Sequence, residues 1–361
     1  MSFNHSQPSK KYEKFQDREW YNLRSILGND WAMLYFLLGG REAGKSYAVT
    51  RFYVDQWKRL GRPFYWMRLT ETSKTKLLNN NAEKLIDPDI RRFYDLDLVT
   101  SGDNVYEVTK RDEKSGKVLE KKLMCRVMAL STFYNDKGSG LFDADFLKDP
   151  NMYYNICLDE MNKEKNERRT QDILYSFTNQ LENLVRSTKK RIRVICIGNT
   201  LEEASDILAG INFIPNTFGR YKLHKKKVVI DYIPLNDAYK KRRSGTLADI
   251  LMPDASTFTN EIQTDYTMLN VNGKLNKPTC IIKFSKNKSD WFTVWDGVTV
   301  NAYNGEKIKT SYMMRPYEDE MFIKQIRDDI ILRFNLKGYY YRNLITQKKF
   351  KKQIELLKPN G

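Results

Sequence analysis

Eight residues, Gly39-Gly40-Arg41-Glu42-Ala43-Gly44-Lys45-Ser46, constrain this chain more than any other stretch. They fit the pattern G-x-x-x-x-G-K-[ST], and their flanks are of the kind the pattern needs. Upstream, residues 33–38 form a continuous apolar run, as in a strand buried on both faces of a parallel sheet. Downstream, the spacing of Val49, Tyr53, Trp57 and Leu60 predicts a helix over 45–60, stopped by Gly61 and Pro63. A strand, a glycine-rich curl and a helix in that order aim several backbone N–H groups and a positive helix end at one spot, which suits a polyphosphate. Lys45 would reach the β- and γ-phosphates, and Ser46 would offer its hydroxyl oxygen to Mg²⁺. Glu42 brings a negative charge close to the phosphates, which Arg41 can offset.

A second acidic element complements this loop. Residues 153–158, apolar but for Asn155, are strand-like and lead into Asp159-Glu160. Two acids at the carboxyl edge of a parallel sheet stand beside the mouth of such a loop. Asp159 would hold the Mg²⁺ shell and Glu160 would polarise an attacking water. Residues 192–197 form another apolar strand, ending in Gly198-Asn199, where Asn199 is either a γ-phosphate sensor or a simple turn residue. A helix over Ile173, Leu174, Phe177, Leu181, Leu184 and Val185 leads to Arg186, Lys189, Lys190, Arg191 and Arg193, with no acid between Asn183 and Leu201. Arg186, at the helix end, can act as an arginine finger on a neighbour's nucleotide, or can equally contact DNA or solvent. Arg68, at the end of the apolar run 64–67, is a further phosphate-facing candidate.

Alternating buried strands and amphipathic helices over about 30–220 predict an α/β domain with a mostly parallel sheet. A hairpin is expected over 104–130. The stretch 221–255 is basic and turn-rich and reads as a linker or lid. Residues 256–361 read as a second, α+β domain, with short strands near 280–284, 291–294, 298–303 and 308–313 and helices at 318–336 and 340–357. The chain has 361 residues and a formal charge of +17, of which residues 221–361 carry +11. Lys225, Lys226 and Lys227, with Lys222 and residues 240–243, form the densest basic stretch, an electrostatic footprint for nucleic acid. Four scattered cysteines and two histidines argue against a disulfide framework, a cysteine or histidine metal site and a histidine base. The longest apolar run is eight residues, at 31–38, against the roughly 20 needed to span a membrane.

With these residues assembled, the chain resembles the DNA-packaging ATPases of φ29-like short-tailed phages. Four local matches carry this: residues 39–46 followed by Tyr47-Ala48, the strand ending Asp159-Glu160, the Arg186 segment, and the strand 191–199. The resemblance implies an additional-strand P-loop NTPase fold of the catalytic-glutamate type and a C-terminal RNase H-like domain. It implies ATP as substrate with Mg²⁺, and a homomeric ring of five subunits with ATP held between them. By position, Arg186 is similar to the family's trans-acting arginine, Arg68 to a phosphate-facing arginine, and Lys137 to a loop lysine that handles nucleotide or DNA. The implied partners are double-stranded DNA and the portal of a procapsid in the host cytoplasm, and the basic C-terminal domain suits a packaging RNA equally. The alternatives are a terminase-type protein with an active C-terminal nuclease, and a nucleotide-gated binding module that hydrolyses nothing. Asp290 and Asp296 lack a convincing third acid for a two-metal nuclease, while Asp328 and Asp329 read as surface charges.

Overall fold

The computed structural model describes residues 20–40, 42–138, 153–162, 172–186, 191–199, 205–215, 217–234, 237–251, 268–269, 278–303, 305, 312–316 and 321–357. The chain divides into two compact units, residues 1–211 with 215–263, and residues 212–214 with 264–361.

The first unit is built on a nine-stranded sheet. In chain order its strands are β1 (Leu34–Leu38), β2 (Phe64–Arg68), β3 (Leu98–Ser101), β4 (Asn104–Arg111), β5 (Val118–Ala129), β6 (Tyr153–Leu158), β7 (Arg191–Gly198), β8 (Gly219–Leu223) and β9 (Val228–Tyr232). Their spatial order is β3-β4-β5-β2-β6-β7-β1-β9-β8. The six strands from β5 to β9 run parallel, and antiparallel pairs close both sides. The parallel core follows from composition: β1, β2, β6 and β7 lack polar alternation because both of their faces are covered. The antiparallel β4–β5 pair is the hairpin expected over 104–130.

Helix α1 (Lys45–Leu60) lies on this sheet through Val49, Tyr53, Val54 and Trp57. Burying each such side chain contributes about 1.5–3 kcal/mol. The two aromatic residues also use their polar tips: Tyr53 Oη donates to Ile156 O at 3.0 Å and Trp57 Nε1 to Leu123 O at 2.8 Å. Gly61, with φ +65°, ends the helix, its N–H returning to Trp57 O at 2.7 Å. Leu60, expected on the buried face, is exposed, because the chain has already begun to turn away there.

The expected boundary at residue 220 and the linker over 221–255 are corrected by β8 and β9. Val228, Val229, Ile230 and Tyr232 are buried, and β9 pairs in parallel with β1, so this stretch completes the first sheet. Its charges sit on the exposed turn between the two strands and mask two short buried segments. A buried ion pair links β8 to β9. Arg220 contacts both oxygens of Asp231, at 2.6 and 2.7 Å, and donates to Ser25 O and Oγ, each at 2.7 Å.

The second unit carries a five-stranded sheet. Its strands are β10 (Pro278–Lys283), β11 (Trp291–Trp295), β12 (Thr299–Ala302), β13 (Met313–Met314) and β14 (Tyr340–Tyr341), in the order β13-β10-β11-β12-β14. Helices Met321–Asn335 and Leu344–Leu357 accompany it. Phe350 is its hub, with ring centroids 5.1–5.9 Å from those of Phe284, Phe292, Tyr339 and Tyr341. Of the strand expected over 308–313, residues 308–311 lie outside the described residues. All four cysteines are buried and free, and burial pushes the Cys280 thiol up to about 11. Among the described residues, no helix is long and apolar enough to cross a membrane.

Because Asp231 is fully buried and Arg220 nearly so, removing one partner strands the other charge. Asp231→Ala is expected to lower the unfolding free energy by about 3–5 kcal/mol in urea melts. A loss below about 1 kcal/mol would show that the pair behaves like an exposed one.

Candidate active site

The loop from Gly39 to Ser46 leaves the carboxyl end of β1 and enters α1. Gly44 caps the helix with φ +81°, and a Cβ there would sit 3.1 Å from the Trp20 ring. Both conformation and space therefore require glycine. Gly39 N–H donates to Gly198 O at 3.3 Å, tying the loop's first residue to the tip of β7. Lys45 is buried, and its Nζ donates to Gly39 O at 2.9 Å and Gly40 O at 2.6 Å. Glu42 is exposed, with a left-handed φ of +61°. Arg41 lies outside the described residues.

The acids arrive from β6. Asp159 continues the β2–β6 pairing through its N–H to Met67 O at 3.0 Å, and its carboxylate is buried. Ser46 Oγ donates to Asp159 Oδ1 at 3.1 Å, so the helix start and the acidic strand end meet directly. Arg68, one residue past the Met67–Leu158 strand pair, reaches Asp159 Oδ2 at 3.2 Å and also contacts Glu160 Oε2. Glu160 is exposed, and its backbone is left-handed at φ +56°, held by its own N–H to Asp159 Oδ1 at 3.1 Å.

Burial pushes the Asp159 carboxyl above its usual range; Arg68 pulls it back and the neighbouring Glu160 adds to the rise. Burial opposes the charge on Arg68, but Asp159 and Glu160 more than offset it and hold the guanidinium above its ordinary value. Lys45, Ser46, Arg68, Asp159, Glu160 and Asn199 share the wall of one cleft of about 680 Å³. Ser46 and Asp159 supply adjoining hard oxygen donors to it, and the burial of the Asp159 carboxylate favours a positive charge beside it. That donor set fits Mg²⁺.

Other sequence candidates lie elsewhere. Arg186 ends α2 (Ile173–Val185), exposed and with φ +46°. Its guanidinium is 4.0 Å from where a Cβ on Gly138 would be, next to the exposed Lys137. Neither Arg186 nor Lys137 belongs to the cleft wall. Lys189 and Lys190 lie outside the described residues. Lys225, Lys226 and Lys227 form the exposed turn between β8 and β9, where Lys227 O accepts from Met33 and Leu34 N–H. That places them at the start of β1, the opposite sheet edge from the cleft. Lys226 Nζ is engaged with Ile211 O.

Three features escaped the sequence reading. Arg242, in helix α3 (Asp237–Arg243), donates to Glu42 O at 2.9 Å and stacks over Trp20 at 4.0 Å. Tyr21 N–H donates to Ala43 O at 3.0 Å while its hydroxyl donates to Asp231 at 2.7 Å. Asn162 packs against Gly198. Only Asp231 left a signal, as a lone acid within the apolar run Val228–Tyr232.

A glycine-rich loop between a parallel strand and a helix, its lysine curled over it and its serine against the acid of the next strand but one, defines a P-loop-type α/β domain. A family model described as podovirus DNA encapsidation protein (Gp16) matches residues 16–344, and the chain belongs to that family. It is 23% identical over 232 residues to the DNA packaging proteins of Bacillus phages phi29 and PZA, and the match covers 63% of this chain. The chain spans 61% of the length of these relatives. Two solved structures share the fold over nearly the whole chain. They are the bacteriophage Phi-29 viral genome packaging motor assembly (TM-score 0.63, 18% identity, covering 94% of this chain and 100% of that one) and the Phi-28 gp11 DNA packaging motor (TM-score 0.57, 14% identity, 95% and 100%).

The raised pKa of Asp159 has a sign that can be measured. The folded protein binds this proton more tightly than the unfolded chain, so stability is lost as pH rises through the folded pKa. Asp159→Asn is therefore expected to melt higher than wild type at pH 7 in EDTA. The advantage should shrink as pH falls toward about 4. A variant that melts lower at every pH would contradict the assignment.

Proposed function

We propose that this protein is an ATP-driven motor that moves double-stranded viral DNA into a procapsid, hydrolysing ATP between subunits of a homomeric ring. The observation that carries the reading is the meeting of Ser46 with Asp159, 3.1 Å apart on the cleft wall that also holds Lys45 and Glu160. Family membership supports the packaging role. Strand β7, lying between β1 and β6, supports the additional-strand, catalytic-glutamate subtype.

In this reading the loop N–H groups from residues 39–46 and the start of α1 cradle the triphosphate. Lys45 exchanges the carbonyls of Gly39 and Gly40 for the β- and γ-phosphates. Ser46 and Asp159 would hold Mg²⁺, which neutralises phosphate charge when bound. Glu160 takes a proton from water as its oxygen bonds to the γ-phosphorus. The bond to the β–γ bridging oxygen breaks, leaving ADP and phosphate. Arg68 compensates the acids, and Asn199 contacts the γ-phosphate side of the cleft. Arg186 acts in trans: its place outside its own chain's cleft, beside Lys137, suits a finger offered to the neighbour. A shared site of this kind calls for a head-to-tail ring, five subunits in the reading adopted here.

The second unit is proposed as an RNase H-like binding domain without nuclease activity. Asp290 supports this, since its carboxylate is spent within its own turn, accepting from Ser285 Oγ at 2.6 Å and from Ser289 Oγ at 3.3 Å. Basic turns such as Lys225–Lys227 would grip phosphates, so DNA binding should weaken with salt and ignore base sequence. The motor would act in the host cytoplasm, docked on the portal, and the basic second unit would suit the portal or a packaging RNA equally.

Glu160→Gln is expected to keep ATP binding while turnover falls about 10²–10⁴-fold, measured by phosphate release and a fluorescent nucleotide. Equal loss of binding and turnover would count against the base assignment. Arg186→Ala should cost about 10³-fold or more. Mixing it with Lys45→Ala subunits should restore some intact interfaces and some activity, and no recovery would contradict action in trans.

A further inference from the structure

The side-chain amide of Asn162 is shut off from solvent at both Nδ2 and Oδ1, and among the described residues neither atom has a hydrogen-bond partner. Buried amides are nearly always paired, so one with both ends empty calls for a reason. Its position supplies one. Asn162 follows Glu160 by two residues, in a turn whose Met161 N–H donates to Ile197 O at 2.9 Å. A Cβ on Gly198 would lie 3.0 Å from Asn162 Nδ2 and 3.2 Å from both Leu38 and Met161. The amide thus occupies the space beside the residue whose carbonyl receives Gly39 N–H from the phosphate loop and whose successor is Asn199. Three parts of the cleft converge there: the Glu160 turn, the entry to the glycine-rich loop, and the tip of β7. Glu160 itself sits at φ +56°, a conformation that a glutamate keeps only while its surroundings impose it.

We propose that Asn162 is a positioning residue for γ-phosphate recognition. As a triphosphate draws Asn199 to the cleft, the amide of Asn162 takes up hydrogen bonds with Asn199 or the 198–199 peptide. Glu160 and Asn199 are thereby locked into one geometry. A diphosphate has no γ-phosphate to draw Asn199 and leaves the amide unpaired. The inference rests on the nucleotide-hydrolysis reading and adds to it a residue that touches no reacting atom yet distinguishes triphosphate from diphosphate.

The test uses the full-length protein with Asn162→Leu, a near-isosteric apolar replacement. Without nucleotide its melting temperature should equal or exceed that of wild type, because an unpaired buried amide has been removed. Wild type should gain more thermal stability from a non-hydrolysable ATP analogue than from ADP, and Asn162→Leu should lose that difference. Its kcat should fall about tenfold with KM for ATP within about twofold. The double variant Asn162→Ala with Asn199→Ala should be no slower than Asn199→Ala alone, as expected for residues acting as a unit. A packing role would instead lower the melting temperature in every ligand state and leave the ATP-over-ADP difference intact. That result, an unchanged kcat, or additive losses in the double variant would overturn the proposal. Wild type that releases no phosphate would overturn the hydrolysis reading beneath it, whereas active wild type with an indistinguishable Asn162→Leu would overturn this inference alone.

Discussion

A buried carboxylate sets the electrostatics of the first unit's cleft. Asp159 sits where β6 leaves the sheet, largely buried at the wall of the cleft, and burial there disfavours its charge. Its neighbours answer that cost. Arg68 approaches from β2 because the Met67–Leu158 strand pair places it alongside, and Ser46 approaches from α1 because the loop from β1 delivers it there. The sheet order is thus a chemical statement: β2 ends in a residue of one cleft, and β6, β7 and β1 lead into other residues of its wall. Lys45 and Arg68 bring positive charge to it, and Asp159 and Glu160 bring negative charge.

The loop and the acidic strand were legible because their constraints are local. Gly44 must adopt φ +81° beside Trp20, and the unalternated strands must be covered on both sides, so residue type reports structure directly. The fold was obscured where charge and burial separate within a few residues. Lys222 and Lys225–Lys227 flank β9, and their density concealed Val228–Tyr232, which lies against β1. The site's long-range supports left little trace, since Arg242 reaching Glu42 and Tyr21 reaching Ala43 depend on contacts across the chain. Asn162 left none, because its significance comes from Gly198, thirty-six residues away in the sequence.

Position also separates the charged elements. The turn Lys225–Lys227 stands at the amino end of β1 and the phosphate loop at its carboxyl end, a strand of five residues apart. Arg186 and Lys137 form a third basic site, off the cleft wall. Under the motor reading, nucleotide chemistry, the contact with a neighbouring nucleotide and the grip on a polyanion fall on different faces of one sheet domain. In the second unit the rings around Phe350 show that it has an aromatic core of its own, independent of the first sheet.

The most direct measurement of the central claim is phosphate release by the purified full-length protein, with magnesium, in the presence and absence of long duplex DNA. Magnesium-dependent release that accelerates with DNA is the result the account predicts. Background release under both conditions, from protein shown to be folded, would contradict it.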